Sequence, residues 1–240
     1  MSERRPLGAQ LALGVGLRDA ATLEAFEPGA NGMAVHWLRG ALAAGGAERG
    51  WLWGGADSGR SHLLEGACHA AVAAGERAIY LDPEVVRAAP EAVLEGLESC
   101  RVVALDDVDA LAGDGASEAA LFDLCNRMQA SRGLLLMAAA AAPLACGWQL
   151  PDLASRFAAA TVFRLRALDD DGREAALRRR ARQRGIDLSA RTARYILTRF
   201  ARDPVALFAL LDDLDEASLS AQRRVTIPFV QALLDAGAER

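Results

Sequence analysis

The chain has 240 residues, 52% of them hydrophobic and 25% charged, which is enough apolar material for a sizeable core and too much for a disordered segment. A formal net charge of −5 argues against a chain that coats nucleic acid by bulk electrostatics. Cys68, Cys100, Cys125 and Cys146 are widely spaced with no CxxC pair, so neither a zinc site nor a disulfide framework is signalled, and reduced thiols in the cytoplasm are expected.

Residues 1–18 read as an arm. Arg4 and Arg5, followed by residues 6–17, imitate a secretory leader only in outline, because Gln10 and three glycines interrupt the apolar stretch. The longest apolar run, residues 134–146, is 13 residues long and carries Pro143, whereas a bilayer span needs about 20 residues. No membrane partner is expected. Between about residues 50 and 165, short β-type runs at 51–53, 78–81, 102–105, 134–137 and 161–165 alternate with helical stretches. Continuous apolar strands separated by helices predict βαβ units and a buried parallel sheet. After Leu168 the strands stop. Asp169, Asp170 and Asp171 can cap a helix to Gln183 with Gly185 as its stop, and Ser189 opens a second whose apolar face is Ala193, Ile196, Leu197 and Phe200. Asp203-Pro204 starts a third, and Pro228 begins a last one. The expected organisation is an arm over 1–18, an α/β core over 19–168 and a helical lid over 169–240.

The sequence GGADSGRS at 54–61 follows the first strand and opens a helix. It fits the phosphate-loop pattern G-x-x-x-x-G-K-[ST] at every fixed place except the Lys, which is Arg60. Gly54, Gly55 and Gly59 allow backbone N–H groups to curl around phosphate oxygens, the helix start adds favourable dipole, and Ser61 can ligate Mg²⁺. Taken alone, the same residues would also suit an ordinary glycine-rich turn. All 27 basic residues are Arg, so compositional bias must be weighed at Arg60. The run VVALDD at 102–107 is a hydrophobic strand ending in carboxylates. This is the arrangement in which Asp106 holds Mg²⁺ through water and Asp107 polarises an attacking water.

Beyond these motifs, the chain resembles the bacterial DnaA-related AAA+ initiator family and, within it, the Hda branch of regulatory inactivators. The resemblance spans residues 10–234. Its carriers are QLAL at 10–13, FEPGAN at 26–31, GRSHLL at 59–64, FDLCNR at 122–127, LPDLASR at 150–156 and AQRRVTIPFV at 221–230. An Arg in the phosphate loop is usual in that branch. The resemblance implies an AAA+ core with a five-stranded parallel sheet in the order 5-1-4-3-2 plus a helical lid. It also implies bound ADP or a related nucleotide, contacted by the loop, His62, Asp106 and Asp107.

Its implied partners are DnaA and the sliding clamp of DNA polymerase III, with DNA met through the clamp. Gln10, Leu11 and Leu13 would dock on the clamp as an extended peptide, a polar residue at the pocket mouth with leucines in apolar grooves. Without the family context, those leucines suit a plain tail. Arg156 matches the family's arginine finger, which acts in trans on ATP held by DnaA and makes the protein a negative regulator of replication initiation.

Two departures point away from independent turnover: Ala138 and Ala140 stand where relatives place a polar sensor, and Val205 stands at or near the phosphate-sensing Arg of the lid. Weak or merely structural nucleotide binding is the expectation. The rival reading is a stand-alone P-loop ATPase or clamp-loader-like motor, which would need those sensors. Residues 164–202 hold 12 Arg against 5 acids, a surface for DNA or an acidic partner, or simply a solvated helix face. Self-association stays open.

Overall fold

The structure, a computed structural model, describes residues 21–200, 210–211, 213–214 and 225–238. The expected strands form as β1 (Glu48–Trp53), β2 (Ala78–Leu81), β3 (Val102–Leu105), β4 (Leu134–Ala139) and β5 (Thr161–Arg164). They make one parallel sheet in the order β2-β3-β4-β1-β5. The central strands β3 and β4 are buried along their whole length, which is why they read as unbroken apolar runs. Pairing rather than hydrophobicity sets the strand ends. β1 begins at Glu48 because it pairs with Leu134, and β4 continues to Ala139 because Ala138 and Ala139 pair with Leu52 and Trp53.

Successive side chains of a strand point to opposite faces. Leu52, Ala104 and Leu136 therefore pack with α1 (Gly32–Ala44) and α2 (Arg60–Ala73) in one apolar layer. Trp51, Leu105 and Met137 pack on the other face with α3 (Pro83–Ala88), α4 (Pro90–Leu94), α5 (Gly115–Ser131) and α6 (Pro151–Ala158). Asn31, just before α1, donates from its amide to the carbonyl of Arg166 and accepts the Arg166 N–H, both at 2.9 Å, fastening the chain entering α1 to the exit of β5. The cysteines are free. Burial pushes the thiol of Cys68 up to about 12 and that of Cys125 up to about 11, so they are unreactive core groups.

A second compact unit begins at Leu168. α7 (Asp170–Gln183) is capped by Asp169, which accepts the Gly172 N–H at 2.8 Å, and Gly185 ends it at φ +75°. α8 (Ala190–Phe200) is capped by the Ser189 hydroxyl, which accepts the Thr192 N–H at 3.1 Å. These helices and α9 (Ile227–Ala238) share a core of Leu177, Ala181, Ile196, Leu211, Leu214 and Val230. The helix expected from Asp203-Pro204 begins outside the described residues. Among the described residues, no helix is long and apolar enough to cross a membrane.

Candidate functional site

β1 leads into a turn at Ala56–Ser58, and Gly59 (φ +86°) then opens α2. Ser58 closes the turn by donating its N–H and its hydroxyl to the Gly55 carbonyl, at 3.1 and 2.7 Å. A side chain at Gly59 is excluded twice, by the left-handed backbone and by Phe26, whose ring edge lies 2.6 Å from where a Cβ would stand. Phe26 also meets the ring of His62 edge-on, with centroids 5.3 Å apart, and His62 Nε2 is 2.9 Å from the Thr22 carbonyl oxygen. The stretch around Phe26 thus braces the glycine loop from behind, and His62 ties the helix start to that brace.

Arg60 turns inward. Its Nη2 lies 3.0 Å from Asp107 Oδ1, and its side chain is only 11% exposed. Its Nε and Nη1 are buried with no hydrogen-bond acceptor. Burying guanidinium N–H groups unsatisfied is costly, and Arg60 shares this with other arginines, Arg49 and Arg101 among them; what sets Arg60 apart is its place at the end of the glycine loop. Asp107 is held at φ +40°, a region that non-glycine residues seldom adopt. Burial, and then the neighbouring Asp106, push its carboxyl above the ordinary range, against the pull of Arg60.

Asp106 is buried and oriented on both oxygens: Tyr80 Oη donates to Oδ2 at 2.6 Å, and the Asp107 N–H donates to Oδ1 at 2.9 Å. Burial and the hydrogen bond to Asp106 drive the Tyr80 phenol far up, while the Ser61 hydroxyl pulls it down. Tyr80 therefore orients Asp106, one of the two oxygen donors expected for Mg²⁺. No sequence motif pointed to Tyr80. Among the described residues, no three His, Cys, Asp or Glu side chains could hold a metal by themselves, so a cation here would rely on ligand oxygens and water.

The exit of β4 is built differently. Ala138 is completely buried, and Ala140 offers only a methyl group. The chain is held there through its backbone. Ala140 N–H donates to Asp109 Oδ2 at 3.1 Å, Trp51 Nε1 donates to the Ala141 carbonyl at 3.0 Å, and Trp148 Nε1 donates to the Pro143 carbonyl at 2.9 Å. α6 follows, anchored by Leu153 and by Phe157, whose ring packs against Trp51 and Trp148 at centroid distances of 5.2 and 5.0 Å. Arg156, in the last turn of α6, is partly exposed, and its guanidinium lies 5.7 Å from the ring centroid of Phe122 on α5. It has no carboxylate partner among the described residues.

A cavity of about 530 Å³ opens beside the glycine loop, lined by Trp53, Gly54, Gly55, Ala140, Arg164 and Arg166. The Arg-rich stretch is partly neutralised within its own unit: Glu174 pairs with Arg194 at 2.6 Å and with Arg178 at 3.5 Å. Gln10, Leu11, Leu13 and Val205 lie outside the described residues.

A family model for the lid domain of Hda matches residues 170–234. An uncharacterized protein of Haemophilus influenzae is 39% identical over 230 residues, covering 95% of this chain and all of that one. Among solved structures, domain III of the Thermotoga maritima replication initiation protein DnaA superposes with a TM-score of 0.70 at 21% identity, over 92% of this chain and 98% of that one. A replication initiator DnaA bound to AMPPCP and single-stranded DNA gives 0.67 at 20% identity, over 86% of this chain and 69% of that one.

Proposed function

The chain belongs to the Hda/DnaA-related AAA+ family, and on that footing we propose that it is a negative regulator of replication initiation that stimulates hydrolysis of ATP held by DnaA. In this reading it docks on the DNA-loaded sliding clamp through Gln10, Leu11 and Leu13, and Arg156 reaches into the nucleotide site of a neighbouring DnaA. The observation that carries it is a division of labour. Arg60 stands at the end of the glycine loop with N–H groups available for phosphate, while Ala138 and Ala140 at the β4 exit carry only methyl groups, which cannot orient a water.

Gly54, Gly55, Gly59 and Arg60 would hold the diphosphate of ADP or a related nucleotide, with Mg²⁺ at Ser61 and Asp106. The AMPPCP-bound DnaA of the same fold supports that choice of ligand. Bound nucleotide supplies negative charge that satisfies Arg60. The chain's own residues do the rest. Tyr80 keeps the Asp106 carboxylate aimed, Phe26 and His62 brace the loop, and Asp107 stays engaged with Arg60 instead of standing free as a base.

Arg156 carries a permanent charge on a planar fork, which suits phosphate oxygens as charge redistributes in the transition state. A finger of this kind is worth roughly 10³–10⁵ in rate, or about 4–7 kcal/mol of barrier. The rival, a stand-alone motor, would need polar groups where Ala138 and Ala140 stand.

The test is hydrolysis of radiolabelled ATP on DnaA with this protein, clamp and DNA added in every combination. Acceleration only when all are present is expected. No acceleration in the complete mixture, or rapid turnover by this protein alone, overturns the reading.

A further inference from the structure

Glu118 belongs to no motif, yet it is 1% exposed and its carboxylate gathers three backbone N–H groups. Oε1 accepts from Gly113 at 2.7 Å and Gln149 at 3.1 Å, and Oε2 accepts from Leu150 at 2.7 Å. Gly113 lies on the loop that leaves the acidic end of β3. Gln149 and Leu150 are the last two residues before α6, the helix that carries Arg156.

Leu150 occupies the N-cap position of α6 but has no side-chain oxygen with which to cap it. Glu118 supplies from α5 the acceptors that α6 lacks, and sets a negative charge at the positive end of that helix. The remaining anchors of α6, Leu153 and Phe157, are apolar. Apolar packing is non-directional, so it fixes which face of the helix is buried better than it fixes position along the axis. The directional bonds at Leu150 and Gln149 set that position. In an eight-residue helix they set the place of its last turn as well.

We propose that Glu118 is the positioning residue for Arg156, holding α6 at the height from which its guanidinium meets a partner's phosphate. The inference rests on the reading of Arg156 as a trans-acting finger. It follows from chemistry as well as distance. An ionised carboxylate only accepts hydrogen bonds, whereas a glutamine amide has one accepting oxygen and an NH₂ group. In Glu118→Gln, the NH₂ must confront at least one of the three N–H donors, whichever way the amide turns. The side-chain shape is kept, so the fold should survive. Glu118→Asp keeps the charge but withdraws the carboxylate by one methylene, and serves as the second variant.

The experiment measures stimulated hydrolysis of DnaA-bound ATP with clamp and DNA present, for wild type, E118Q, E118D, R156A and the E118Q/R156A double variant. Amide hydrogen exchange at Gln149 and Leu150 is followed in parallel. A displacement of about 1 Å at a reacting group can lower a rate by as much as 10²-fold. We therefore expect E118Q to lower the maximal rate by about tenfold or more at an unchanged half-saturating concentration, with faster exchange at Leu150. E118D should fall between E118Q and wild type. Because Glu118 acts through Arg156, E118Q should add nothing in the R156A background. Wild-type rates in both E118Q and E118D, or a loss of equal size with and without Arg156, would overturn the positioning role. A fully active R156A would instead overturn the finger reading itself, and the proposal with it.

Discussion

β3 and β4 lie side by side and in register, Val102 against Leu134 and Leu105 against Met137, yet they end in opposite chemistry. β3 runs into two carboxylates, one fixed by Tyr80 and the other paired with Arg60. β4 runs into a series of alanines that the protein holds only by their backbone, through Asp109 and Trp51. The end of β3 thus carries polar side chains beside the glycine loop, whereas Ala138 and Ala140 at the end of β4 carry only methyl groups. On the proposal that Arg156 is a trans-acting finger, this contrast suits a protein that holds a nucleotide as part of its structure and does its chemistry elsewhere, through the helix that follows β4.

That contrast can be broken by substitutions that strike one strand end and spare the other. Phe157→Ala empties a fully buried position between Trp51 and Trp148 and should lower stability by about 3–5 kcal/mol. Chemical denaturation would measure the loss. Calorimetry at a temperature where the variant is still folded should find ADP affinity within a few-fold of wild type. A collapse of ADP affinity in the folded variant would mean that the two regions are not separable.

Arg60→Ala should do the reverse. Losing a charge-assisted hydrogen bond to phosphate costs about 1.5–3 kcal/mol, or roughly 10–150-fold in the dissociation constant for ADP. Stability without nucleotide should change much less, because the ion pair lost with Asp107 is more than half exposed on the acid's side. Unchanged ADP affinity would remove Arg60 from the phosphate site.

The smallest effect concerns Asp107. Its folded pKa is raised, so its contribution to stability is present below the ordinary carboxylate pKa and is lost as pH rises through the folded value. Asp107→Asn removes that loss. The stability difference between variant and wild type should therefore shift in favour of the variant as pH climbs through this window. A difference that stays flat across the acid range would show that Asp107 is not perturbed.

Much of the architecture was legible because a parallel sheet covered on both faces leaves a plain trace, strands of unbroken apolar residues between helices. The glycine loop was legible for a similar reason: its backbone conformation demands glycine at fixed spacing, as Gly59 illustrates. Strand ends were not, since the register between Glu48 and Leu134 is a property of two segments and not of either one. The same holds for the side chains that the motifs missed. Tyr80 is one aromatic in a four-residue strand, and Asn31 earns its role from Arg166, 135 residues further along. Glu118 looks like any helix-surface acid until the loop before α6 is folded over it.

The central claim is that Arg156 works on a nucleotide held by another protein. The most direct measurement is single-turnover hydrolysis of ATP on DnaA, with clamp and DNA present, by wild type, Arg156→Ala and Arg156→Lys. Arg156→Ala is expected to fold, to bind ADP and to stay on the clamp, yet to lower the stimulated rate by at least about a hundredfold. Arg156→Lys should recover little, because a point charge cannot reproduce the bidentate fork. An Arg156→Ala variant that converts DnaA-bound ATP to ADP at the wild-type rate would contradict the account.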